Sequence, residues 1–139
     1  MLGGLRSLES LLDEAFADSS IQPHYADGRC SIPVQLPNGR AQTVRIEIDG
    51  DAETGEEIVR VFSVCGPASD CYYERALHLN AAISHGAIGI ETVDGGPHFV
   101  MVNAYPRATC DSHEIRTSVV EIAKHSDQVE HLLTGEDRF

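Results

Sequence analysis

The chain has 139 residues, 42% of them hydrophobic and 23% charged, which is the composition of an ordered globular protein rather than a disordered one. Its 22 acidic residues outnumber 10 basic ones, and the net charge of −12 repels phosphate backbones, so nucleic-acid binding loses its main electrostatic term. No stretch approaches the length of a membrane span, and the first residues lack the charged-then-apolar pattern of a secretory signal.

One domain over 1–139 is expected, large enough to bury a core without disulfides or metal. Cys30, Cys65, Cys71 and Cys110 form no C-x-x-C pair, which fits reduced thiols in a cytoplasmic protein.

Leu5, Leu8, Leu12 and Phe16, with Leu11 and Ala15 beside them, predict an amphipathic helix over 5–17 that ends before Pro23. Ile32, Val34 and Leu36 alternate as a strand over 30–36, and Pro33 places it at an edge because proline donates no ladder hydrogen bond. Asn38-Gly39 tolerates the positive φ of a tight reversal, so a hairpin leads into a half-exposed strand over 43–49 carrying Val44, Ile46 and Ile48. The charged, glycine-rich stretch 49–57 is a solvated loop.

The strand over 58–65 is apolar on both alternations, Val59 and Val61 on one, Phe62 and Val64 on the other. Helices can cover one face; the other then needs something further, and an external partner is the expected cover. Ser69 or Asp70 can cap the next helix, which runs through Tyr73, Leu77, Ala81 and Ile83, with Gly86 at its left-handed end. Strands over 87–93 and 98–104 join at Asp94-Gly95-Gly96-Pro97. Asp111 and Glu114 cap a final helix whose stripe is Ile115, Val119, Ile122, Val129 and Leu133, with Ser126 in an i, i+4 slot between them. Such a helix frays alone and persists only when docked on the sheet. The expected fold is therefore α+β, a mainly antiparallel five-stranded sheet with three helices in the order α-β-β-β-α-β-β-α.

No readable catalytic signature is present. Asp49, Asp51 and Glu53 hold the first, third and fifth places of a calcium loop, but Thr54 and Arg60 stand where glycine and a bidentate glutamate belong. Cys71, His78 and His85 fall seven residues apart, and each helical step covers about 10 Å, too far for one ion. Glu121 and His125 are i, i+4 neighbours without a third ligand, so no metal and no cofactor is expected. Cys65, at a strand-to-helix junction, is the one thiol whose pKa a helix terminus could depress; a buried inert cysteine is the alternative. Asn80 either bonds a neighbouring backbone group or marks a partner contact.

The passage from Tyr72 to Ile90, with Leu79-Asn80 on the helix, Gly86 after it and Ala87-Ile88-Gly89-Ile90 as a short strand, resembles the type III secretion chaperone-like superfamily, most closely its YbjN-like proteins. The segments Asp111-Ser112-His113-Glu114-Ile115, Glu121-Ile122-Ala123 and Asp127-Gln128-Val129-Glu130 are similar to the closing helix of YbjN-like chains. The resemblance implies a small acidic cytoplasmic homodimer that binds a polypeptide client, basic or amphipathic, and has no catalytic residues to transfer. By position it assigns Val44, Ile46, Val59 and Val61 to the client and Tyr72, Tyr73 and Leu77 to the dimer contact. The alternatives are a YbjN-like regulatory or ligand-sensing domain with an enclosed pocket, and a small enzyme using Cys65 or a histidine.

Overall fold

A computed structural model of the chain describes residues 7–26, 29–50 and 52–134, and the side chains of Asn38 and Thr134 fall outside that description. Three α-helices, α1 (Leu8–Ala15), α2 (Tyr73–Ala82) and α3 (Ser112–Thr134), accompany six strands. The strands are β1 (His24–Ala26), β2 (Arg29–Gln35), β3 (Ala41–Gly50), β4 (Glu57–Pro67), β5 (Ala87–Val93) and β6 (Gly96–Pro106). They form one antiparallel sheet in the order β1-β2-β3-β4-β6-β5.

The fold is α+β as expected, with six strands where the sequence predicts five, so the order becomes α-β-β-β-β-α-β-β-α. The additional strand is β1, whose three exposed residues are too few to show an alternation. It pairs His24 with Ser31 and Ala26 with Arg29 and stops short of Pro33, whose one register partner is Thr43 of β3, so β2 is an inner strand at its start and an edge among the described strands at the proline.

Alternation places the core between the sheet and the helices. Ile32, Val44, Ile46, Val59, Val61 and Met101 point to one face and lie fully buried beneath Leu12, Ile115, Val119 and Ile122. The predicted stripe of α3 is buried throughout, and Ser126 within it meets Cys65 at 3.2 Å. A polar seam runs alongside: Ser63 Oγ lies 2.8 Å from the Thr43 carbonyl and 3.2 Å from Gln42 Oε1, and Gln42 Nε2 donates to Glu130 at 3.5 Å.

The helix ends follow local hydrogen bonding. Ser7 Oγ accepts from Ser10 N at 3.1 Å and caps α1; Leu5, in the predicted start of that helix, lies outside the described residues. Asp111 Oδ1 accepts from Glu114 N at 2.8 Å and caps α3. The cap expected from Ser69 or Asp70 on α2 does not form. A 3-10 turn over Asp70–Tyr72 precedes that helix instead, and Tyr72 N donates to the Ser69 carbonyl at 2.9 Å.

Gly86 takes φ +84 in the turn from α2 into β5, and a Cβ there would sit 3.0 Å from both Met101 Cε and the Val102 carbonyl. Only glycine satisfies both the backbone angle and the close approach. Asn80 Oδ1 accepts from Ile88 N at 2.9 Å, tying the helix to the strand it feeds, which is the structural role its sequence position suggests.

The face of the sheet without helices departs from expectation. Phe62 is 5% and Val100 1% exposed, with Ile58, Val64 and Val102 half-buried, so the chain closes the apolar centre of this face itself, while Pro33, Thr43, Arg45 and Ala87 around it stay exposed. The Arg60 guanidinium lies 4.7 Å above the Phe62 ring and is bridged to Glu91 of β5. That pair and its aliphatic stems do part of the covering an external partner was expected to supply.

Candidate functional site

Helix α2 carries two apolar rows because of its periodicity. Ala76, with Leu79 and Tyr72 half-buried beside it, turns into the core, while Tyr73 and Leu77, four residues apart, turn outward. Ten residues are too few to cover the strand beneath, so the end of β5 stays open.

Tyr73, Ala76 and Leu77 on the helix, Ile88, Gly89 and Ile90 on β5, and Phe99 on β6 line a groove of about 330 Å³, almost all apolar. Leu77 is 70% and Ile90 49% exposed, so the groove opens onto solvent. Phe99 fixes its floor: its ring meets Tyr73 edge to face, with centroids 6.1 Å apart at 88°. One wall is β5, an edge strand of seven residues without proline or lysine to discourage pairing.

Two of the three predicted dimer-contact residues, Tyr73 and Leu77, meet in this groove; Tyr72 instead packs against the core. Sequence reasoning missed Ile88, Ile90 and Phe99. The Ile88/Ile90 alternation was visible, but nothing in the sequence shows that α2 stops short of covering it.

The client assignment needs correction. Val44, Ile46, Val59 and Val61 are each 0% exposed, sealed between the sheet and the helices. Their alternation identified a buried face, and α3 is the element that buries it; no partner reaches these side chains while the helix is docked.

The residues weighed for chemistry are held apart. Cys65 is 2% exposed, and burial pushes its thiol up to about 11, outweighing the hydrogen bond from Ser126 that lowers it. That is the environment of an inert thiol rather than of a nucleophile. Burial also raises Cys30 and Cys110 to about 11, and burial followed by the Asp13 carboxylate raises the Tyr25 phenol well above its usual range.

His85 Nε2 meets Asn103 Nδ2 at 2.9 Å, whereas His78 faces Glu74 at 3.6 Å on the exposed side of α2, and Cys71 Sγ lies 3.3 Å from Ser69 Oγ. Glu121 and His125 pair at 3.6 Å along α3. In the acidic loop, Thr54 Oγ1 accepts from Glu56 N at 3.2 Å and closes a local turn, and Asp51 lies outside the described residues. Among the described residues no three His, Cys, Asp or Glu side chains are grouped to hold a metal ion. Among them, too, no helix is long and apolar enough to cross a membrane.

Two further grooves lie near β1. One of about 590 Å³ is lined by His24, Ala26, Arg29, Cys30, Ser31, Arg45 and Glu47. Its neighbour, of about 510 Å³, lies between the start of α1 and Tyr25, Arg29 and Ile48. Both are open and carry charged side chains, unlike the apolar groove beside α2.

The chain matches no family model and no curated protein sequence. A solved structure described as the HopA1-SchA chaperone-effector complex contains a chain similar to it, with a TM-score of 0.54 and 15% sequence identity, covering 82% of this chain and 85% of that one. The likeness is one of fold, shared over most of both chains.

Proposed function

We propose that this chain is a non-catalytic protein-binding module of the secretion-chaperone kind, acting in the cytoplasm as a homodimer that shields an apolar or amphipathic segment of another polypeptide. The carrying observation is the groove between α2 and β5, where Tyr73, Leu77 and Ile90 stay exposed beside a strand edge that no described strand pairs. Exposed apolar surface next to free backbone donors and acceptors is suited to meeting a polypeptide.

The similar chain comes from a complex of a chaperone with an effector, which supports a protein client here. Tyr73 and Leu77 are the dimer contact in this reading. The net charge of −12 favours basic or amphipathic clients at long range. A YbjN-like ligand-sensing domain would need an enclosed pocket, whereas the three grooves described above open onto solvent.

Sedimentation velocity on the full chain tests the reading. The wild type should sediment at twice the 15.1 kDa chain mass, and Leu77→Glu at once that mass with an unchanged circular-dichroism spectrum. A monomeric wild type, or a Leu77→Glu variant that stays dimeric, would remove the dimer contact from this groove.

A further inference from the structure

One lateral row of side chains crosses all six strands on the face opposite the helices. The register pairs His24 with Ser31, Ser31 with Arg45, Arg45 with Phe62, Phe62 with Val102 and Val102 with Ala87. The row is polar and basic over β1 to β3 and apolar over β4 to β5. Five strand spacings make it about 24 Å long.

The polar half coincides with the 590 Å³ groove, whose lining includes His24, Arg29, Ser31 and Arg45. Glu47, the one carboxylate there among the described residues, lies 3.4 Å from Arg29. Arg45 is exposed and has no ion pair among the described residues. The apolar half is Phe62, Val64, Val100 and Val102, guarded by the Arg60–Glu91 bridge.

We propose that this helix-free face binds a segment laid across the strands, with carboxylates at one end over His24, Ser31 and Arg45 and apolar side chains at the other over Phe62, Val64 and Val102. The inference rests on the protein-binding reading and adds a second surface with its own partner chemistry. Charge selects the occupant. The molecule carries −12 overall, yet a Debye length of about 8 Å at physiological salt leaves the nearby arginine in control of what settles on this face.

The Arg60–Glu91 bridge acts as a latch. Both side chains are partly exposed, and a pair of that kind biases an equilibrium by no more than about fivefold, so an incoming carboxylate can take Arg60 from Glu91 and uncover Phe62. About 24 Å is spanned by roughly seven extended residues or sixteen helical ones, which sets the length of the segment.

The test is a fluorescence-anisotropy titration of the full chain with two labelled peptides of that length. One has glutamates at one end and leucines at the other; the second has lysines in place of the glutamates. On a Leu77→Glu chain, whose groove beside α2 is disabled, the glutamate peptide should bind more tightly than the lysine peptide. Arg45→Glu should weaken it by about tenfold or more, Glu91→Gln should tighten it by up to about fivefold, and Arg116→Glu, the same charge change on the exposed side of α3, should leave it unchanged.

Equal or better binding of the lysine peptide to a Leu77→Glu chain, in which the groove beside α2 is disabled, no binding of either peptide, or an Arg45→Glu variant that binds the glutamate peptide like wild type overturns the proposal. Glutamate-peptide binding that Leu77→Glu abolishes and Arg45→Glu spares also overturns it, while leaving the protein-binding reading intact with its site beside α2. Arg45 is exposed, so its variant keeps the fold, which thermal unfolding monitors alongside.

Discussion

At the scale of single residues, the thiols show how burial governs chemistry. Cys30 and Cys65 are 2% exposed and Cys110 8%, while Cys71 sits on the surface. A native-state titration with a thiol reagent near neutral pH is expected to modify Cys71 promptly and the other three only after denaturation. Prompt labelling of Cys65 would reopen the nucleophile reading.

Cys65 also sets a pH window. Its pKa rises from 9.0 to about 11 on folding, so the folded state favours the neutral thiol. The stability this supplies is complete below pH 9 and is lost as pH climbs through 11. Denaturant melts of Cys65→Ala should therefore lose less stability than wild type across that interval, and an identical loss would contradict the assignment.

At the scale of elements, periodicity and the α3 cap were legible, whereas the α2 cap and the contact partners were not. The α3 stripe and its Asp111 cap stand as the sequence predicts, because spacing and capping chemistry are local. Asp111→Ala should cost about 1 kcal/mol in chemical denaturation, within the usual range for a lost N-cap, and a cost near zero would mean Glu114 N finds another partner.

The expected client residues illustrate the other side. Val44, Ile46, Val59 and Val61 were recognisable as one apolar face, but whether a partner or the chain's own α3 covers it depends on long-range docking that no local pattern encodes. Strand β1 was illegible for its length, and the groove beside α2 because it arises from a helix ending early over a strand nearby in sequence. Tyr73 and Leu77 were reachable through family resemblance and the spacing of α2; Ile90 and Phe99 needed the sheet order.

At the scale of the whole molecule, the two faces of the sheet are closed by different means. Helices cover one, and an arginine bridged to a glutamate lies over the phenylalanine at the centre of the other. That leaves the groove between α2 and β5 as the most apolar opening among the grooves described. The exposed Leu77 and the edge of β5 that no described strand pairs are the grounds for the assembly proposed there.

Amide hydrogen exchange, followed peptide by peptide on concentrated and on dilute full-length protein, addresses this most directly. Assembly through the groove predicts that concentrating the protein slows exchange over 72–93 and leaves α1 and β3 unchanged. Exchange that is independent of concentration, or slowing confined to other segments, would contradict it.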